Sequence, residues 1–418
     1  MTLLLGLVAA RPTEGQVAVG REVEILLHDA NPRFTRVQAL TFDEMDPTRG
    51  MQYLGGWGPE RLATVNAPRE GTSTDGVSRL LVRVEAPGPG TVELALVTPR
   101  PENGTLRFLS GPEVVQVGDR FLAFALYRPP EHFGPRDRAD GLWHEEVDFR
   151  SAALQARFTG ADGRVAETTS LIVLVRPPLV LVHGTFDQPE AAWRTASDLG
   201  PAPVDVFAAA GFRPFTVDYS WTSGNVIRDN PFLSTSFQAN RRVVLDNTGG
   251  IRTALDHYRT NLGIAAARAD VVGHSLGGTL GRVLASTYYN PDYLSAENFN
   301  QGWINRLITV NTPHHGTELP DMMSFFEEVG WENDRTWTEY FASLAVRMGA
   351  WFSGRSASAM TAVENQLPRS PALDSIGPTT VPSHAVVGVM DISRLEDDTP
   401  TQGLFTSIAL LFYTFPGL

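Results

Sequence analysis

A five-residue segment, Gly273-His274-Ser275-Leu276-Gly277, followed at once by Gly278, leaves this chain few architectures to choose from. It is entered from the apolar Ala269-Asp270-Val271-Val272 and left through a run of helical character at 280–288. A serine between strand and helix, with glycine two places away on either side, fits a tight turn that holds the hydroxyl clear of the backbone. A larger residue at 273 or 277 would collide with that turn, whereas glycine has no Cβ to collide. The helix behind offers N–H groups without intrahelical partners and a partial positive charge. Those are the requirements for nucleophilic attack by Ser275 on a carbonyl, with the Leu276 amide as one oxyanion donor.

Such a turn needs a parallel sheet around it, and residues 179–418 carry the pattern of one. Strand-like runs at 179–182, 212–217, 269–272, 307–310 and 385–389 alternate with helical runs at 204–210, 251–260 and 280–288. Alternation of this kind marks an α/β fold with a parallel sheet. His183-Gly184-Thr185 follows the first of these strands directly. The Thr185 amide is therefore the expected second oxyanion donor, and His183, Gly184 and His274 are expected to line the site. Residues 318–356 differ from their surroundings, being helical in propensity and rich in large aromatics such as Phe325, Phe326, Trp331 and Trp337. An insertion there lies between two sheet strands and over the strand ends where ligands bind. Two readings stay open for it: packed cap helices, or a lid that meets a lipid interface.

Residues 1–175 read differently. Short apolar or alternating runs at 22–27, 81–85, 92–97, 121–127 and 171–175 are separated by turn formers such as Ala86-Pro87-Gly88-Pro89-Gly90 and Ala161-Asp162-Gly163. Strands without a convincing helix predict a β-sandwich of immunoglobulin-like architecture, ending at Arg176-Pro177-Pro178. It is either a binding module for surfaces, glycans or proteins, or a packing domain that shields one face of its neighbour. Leu3-Leu4-Leu5-Gly6-Leu7-Val8 lacks a basic flank and reads as a first strand rather than a signal core.

Composition removes whole classes of chemistry. There is no Cys, so disulfides, thiolate metal sites and a Cys nucleophile are excluded. There is no Lys either, and all 34 basic residues are Arg, which excludes a Lys base or Schiff base. That usage, with many Ala, Gly and Pro, is the mark of a GC-rich genome. A net charge of -13 argues against nucleic acid and against electrostatic docking on anionic membranes. No run approaches the ~20 apolar residues of a transmembrane helix.

Three segments in order, Val180-Leu181-Val182-His183-Gly184, Gly273-His274-Ser275-Leu276-Gly277-Gly278 and Asn311-Thr312-Pro313-His314-His315-Gly316-Thr317, resemble the motifs of the lipase/esterase branch of the α/β-hydrolases. The groups they look most like are bacterial triacylglycerol lipases and glycosylphosphatidylinositol inositol-deacylase-like proteins. The resemblance spans 179 to about 389, half of the chain, and leaves the β-rich half unexplained. It implies a serine hydrolase that cleaves carboxylic esters, lipid esters among them, without cofactor or metal. It also implies that His314 lines the site rather than reacting. Adjacent His314 and His315 rarely face one ion, which speaks against a metal there. A bacterial protein at an extracellular or cell-surface location is the matching expectation.

The base and acid are the gap in this reading. The fold places both after the nucleophile, acid first, and only His314, His315 and His384 follow Ser275. His384 should sit at the N-terminal edge of the 385–389 strand, about 15 Å from the reacting end. Asp391, at the other end of that strand, is the candidate acid. Two accounts follow: the base lies beyond Leu418, or the chain is a pseudo-hydrolase that kept the serine turn and lost the base.

Overall fold

The structure, a computed structural model, describes residues 22–35, 58–109, 111–133, 148–184, 189–196, 200–219, 243–286, 290–316, 371–376, 379 and 381–386. The leading apolar run, Thr185, the 318–356 insertion and Asp391 lie outside the described residues.

Among the described residues before 176 there are nine strands: β1 (Glu24–Asp29), β2 (Gly71–Ser73), β3 (Leu80–Ala86), β4 (Gly90–Leu96), β5 (Thr105–Phe108), β6 (Val115–Val117), β7 (Arg120–Arg128), β8 (Phe149–Gly160) and β9 (Val165–Val175). One antiparallel sheet has the order β1-β3-β7-β5, with β6 also on β7. It packs against the β4, β8 and β9 sheet through Leu80, Val82 and Val84 on one side and Val92, Leu94, Leu154 and Ile172 on the other. Along β4 the burial alternates with period two, so Val92, Leu94 and Leu96 face that core while Thr91, Glu93 and Ala95 face outward. Two short helices, α1 (Pro32–Thr35) and α2 (Pro59–Ala63), depart from the expected all-β composition. The second covers the outer face of the first sheet with Leu62 and Ala63, against Leu81, Phe124 and Leu126. Five residues make less than two turns, too short to show a helical period in sequence.

Beyond Pro178 the alternation is realised. The strands are β10 (Leu179–Val182), β11 (Pro214–Thr216), β12 (Ile264–Ala265), β13 (Ala269–His274), β14 (Ile304–Val310) and β15 (Ser383–Val386). The helices are α3 (Pro203–Ala209), α4 (Ile251–Asn261), α5 (Leu276–Ala285) and α6 (Pro371–Ile376). Five strands make one sheet in the order β11-β10-β13-β14-β15, parallel at every pairing. Its two faces follow strand parity. Val180, Val182, Val271 and Leu307 meet Leu255 of α4 and Leu276, Leu280 and Leu284 of α5. Leu179, Leu181, Val272 and Ile308 meet Val204 and Phe207 of α3 together with Trp193. Burial on both faces explains why Leu179–Val182 is an uninterrupted apolar run. Helix α5 starts at Leu276, four residues earlier than its apolar pattern announces, because Gly277 and Gly278 hide the first turn.

The two halves are fused rather than strung together. Strand β12 joins the β-rich half by pairing with β2, completing the order β12-β2-β9-β8-β4. Asp75, fully buried in the loop after β2, accepts the N–H groups of Ala267 and Arg268 at 2.9 and 3.2 Å, immediately ahead of β13. Arg259 of α4 lies 3.7 Å from buried Asp29, and Asn31 donates to the Glu297 carbonyl at 2.6 Å.

Candidate active site

Topology alone points to one crevice. The chain leaves β10 for β11 on one side and returns to β13 on the other, so the strand order reverses between β10 and β13. Open parallel sheets bind ligands at such a reversal, beyond the carboxyl ends of the strands. His183-Gly184 follows β10 there and Ser275 follows β13 there.

Ser275 caps α5 with φ 51 and ψ -124, outside both the right- and left-handed helical regions. A side chain in such a conformation costs on the order of 1–3 kcal/mol and persists only where its surroundings impose it. The surroundings here are backbone. The Ser275 N–H donates to the Val310 carbonyl at 2.9 Å, and the Gly278 N–H donates back to the Ser275 carbonyl at 3.1 Å. A Cβ placed on Gly273 would lie 2.4 Å from the Gly278 nitrogen, and one on Gly277 would lie 2.3 Å from the Val182 carbonyl oxygen. Both glycines thus have a steric reason, and Gly278 has another, since its Cβ would meet the Thr312 hydroxyl at 2.0 Å. The serine itself is half-buried.

Gly184 is held against Ser275: a Cβ on it would stand 2.9 Å from the Ser275 Cβ and 3.2 Å from the His274 Nδ1. The loop after β10 and the turn after β13 therefore meet at Gly184. Leu276, the first residue of α5, is buried. His183 is fully buried, with Nδ1 2.9 Å from the Gly184 carbonyl and its ring stacked on Tyr219 at 3.8 Å and 5°. The Tyr219 hydroxyl donates to the His183 carbonyl. His274 ends β13 opposite Val310 and is half-buried.

His314 has its ring engaged at both nitrogens. Nε2 is 2.9 Å from the Thr309 hydroxyl and Nδ1 is 3.3 Å from Arg282 of α5, whose guanidinium also donates to the His314 carbonyl at 2.8 Å. Since a guanidinium only donates, Nδ1 accepts and Nε2 carries the hydrogen. Burial, with Arg282 and His315 nearby, lowers the His314 pKa and keeps the ring neutral. The ring braces the 311–316 segment between α5 and β14. His384 differs from expectation: β15 begins at Ser383, so His384 is a strand residue opposite Ile308. It stands two residues, roughly 7 Å, below the level of Val310 rather than before the strand, and it is exposed. Pairing with β14, not apolar character, sets where this strand starts. Two site residues escape sequence reasoning, Tyr219 and Arg282. The first follows a three-residue strand, and the second sits mid-helix, with no local pattern to single out either.

Residues 179–410, more than half of the chain, match the model of the alpha/beta hydrolase family. The chain belongs to that family. No curated protein matches it. Among solved structures it is similar to esterase B from Lactobacillus rhamnosis, at 14% identity over 66% of this chain and 69% of that one, with TM-score 0.28. A variant of the rice cell wall degrading esterase LipA from Xanthomonas oryzae shares 11% identity over 63% and 88%, with TM-score 0.26. Epoxide hydrolase A from Mycobacterium thermoresistibile shares 15% over 62% and 66%, with TM-score 0.22. Among the described residues no helix is long and apolar enough to cross a membrane.

Proposed function

We propose that the protein is a serine hydrolase of carboxylic esters, lipid esters among them, with Ser275 as nucleophile. The observation that carries this reading is the backbone of Ser275, φ 51 and ψ -124, at the head of α5 and against Gly184. A strained serine where the strand order reverses has no packing purpose, and strain of this kind collects at reacting groups. In the proposed reaction the Ser275 oxygen bonds to the ester carbonyl carbon and its proton passes to a general base. The amides of Leu276 and Thr185 hold the oxyanion, and the alcohol leaves with a proton. Water then repeats the sequence on the acyl-enzyme and frees the acid. Asp391 remains the proposed acid. The extension to lipid esters rests on the motif resemblance and on the aromatic content of 318–356.

A fluorophosphonate probe tests the reading, because it labels only a serine whose hydroxyl is activated. Labelling of the full chain that disappears in Ser275→Ala supports it. A wild type that stays unlabelled and releases no p-nitrophenol from p-nitrophenyl butyrate, both as this chain and as one extended past Leu418, overturns it in favour of the pseudo-hydrolase. Cleavage of the butyrate without cleavage of emulsified long-chain triglyceride narrows the substrate to short esters.

A further inference from the structure

We infer that Tyr219 is a positioning residue that sets the oxyanion-binding peptide beside Ser275, acting through His183. The inference rests on Ser275 being the nucleophile. Tyr219 follows β11, and its segment is anchored on both sides: the Val217 N–H donates to the Leu181 carbonyl at 2.9 Å, and the Asp218 N–H to the Thr248 carbonyl at 3.1 Å. Its side chain is fully buried, yet a phenol buried for packing alone could be a phenylalanine. Here the ring lies flat on the His183 imidazole, and the hydroxyl donates to the His183 carbonyl. The imidazole in turn places Nδ1 2.9 Å from the Gly184 carbonyl, which can only accept, so Nδ1 carries the hydrogen.

The consequence follows from covalent geometry. A trans peptide is planar and its N–H points opposite to its C=O. Pinning the His183 carbonyl fixes the direction of the Gly184 N–H, and the contact with Nδ1 holds the Gly184 carbonyl in place. That glycine is the residue packed on Ser275. Glycine is free to rotate to many φ/ψ values, so a loop that must present amides at this point needs an external clamp. Tyr219 supplies it from the segment after β11, the strand on the far side of β10 from Ser275.

The test compares wild type, Tyr219→Phe and His183→Gln on matched ester and thionoester substrates, with rates normalised to serine labelled by fluorophosphonate. A thionoester develops charge on sulfur, which amide donors stabilise poorly. The ratio of ester to thionoester turnover therefore reports the oxyanion site and not the amount of folded protein. Tyr219→Phe keeps the stacked ring and removes only the hydroxyl. Its ester kcat should fall about tenfold, less than the loss from deleting an oxyanion donor outright, with KM within twofold. The ester to thionoester ratio should fall by a similar factor, and His183→Gln should lower it as well. An unchanged ratio in both variants overturns the inference, as does a reduced melting temperature accompanied by wild-type turnover per labelled site. A wild type that is not labelled at Ser275 removes the nucleophile and this inference together, whereas normal labelling with an unchanged ratio removes only the inference.

Discussion

At the N-terminal edge of the parallel sheet the buried Asp75 carboxylate is saturated, while at the C-terminal edge the Ser275 backbone is strained. Asp75 Oδ1 accepts the N–H groups of Val77 and Ser78, and Oδ2 accepts the Ser73 and Ser78 hydroxyls and the N–H groups of Ala267 and Arg268. Arg268 also donates to the Asp75 carbonyl at 3.0 Å. The opposite edge holds Ser275 at a positive φ and crowds three glycines of its turn and helix against neighbouring atoms. One edge uses its polar groups for cohesion between the two halves of the chain; the other stores conformational cost where the strand order reverses. The β-rich half therefore packs against the edge of the sheet away from Ser275.

The largest effect should come from breaking the saturated edge. Asp75→Ala strands the Ala267 and Arg268 amides in a buried site and removes the tie to β13. A loss of about 3–5 kcal/mol is expected, the range for breaking a buried charged network. Urea unfolding should show the midpoint falling, with both halves still melting together. A midpoint within experimental error of wild type would mean the halves are held elsewhere. Asp75→Asn, which keeps one acceptor and the shape, should cost less.

The strained edge answers to volume rather than charge. Gly277→Ala sets a methyl 2.3 Å from the Val182 carbonyl oxygen and 2.7 Å from that of His183. Backbone must move, and about 2 kcal/mol of stability should go with it, together with most fluorophosphonate labelling. Gly88→Ala is the control, since nothing stands within 4 Å of its Cβ position. If both substitutions unfold at the same urea concentration, the close approach of α5 to β10 is not what places the turn.

These two edges also differ in how far the sequence reveals them. The C-terminal edge was legible because its requirements are local: Gly273, Ser275 and Gly277 lie within five residues, and the strand and helix that flank them carry their own apolar periods. The parallel sheet was legible for the same reason. Strand β8 was not, since Ala152, Ala153 and Ala156 are weak strand formers that fill the space between sheets without advertising it. Nor was the N-terminal edge. Asp75 sits 192 residues from Ala267, and a lone aspartate in a Ser-Thr-Asp-Gly turn looks like any solvated turn residue until the fold brings its partners together. The β2–β12 pairing is hidden in the same way, because two residues of strand carry no period at all.

The β-rich side is not satisfied throughout, which limits the contrast. His28 of β1 is buried, and among the described residues neither ring nitrogen has a hydrogen-bond partner. Burial, with Arg83 and Arg69 close by, lowers its pKa to about 4. The unfolded chain takes up this proton below about pH 6.5, the native chain only near pH 4. The stability this neutral ring permits is whole above pH 6.5 and is lost as the pH falls towards 4. The cost there is about 3 kcal/mol. His28→Leu should flatten that part of the stability profile, and an unchanged slope between pH 6.5 and 4 would assign the acid sensitivity to other groups.

The smallest effect measures the strain itself. Ser275→Ala removes the hydroxyl but leaves a Cβ in the same backbone conformation, whereas Ser275→Gly removes the Cβ as well. Glycine tolerates positive φ but loses more freedom on folding, a penalty of about 0.5–1 kcal/mol. Strain of 1–3 kcal/mol exceeds that penalty, so Ser275→Gly should be more stable than Ser275→Ala by about 1 kcal/mol. Neither variant can be labelled, so the difference is free of any contribution from reaction. Equal urea midpoints for the two would show that the turn accepts a side chain without cost. The contrast would then shrink to the saturated edge alone, because a serine resting comfortably at that bend would need no catalytic reason to be there.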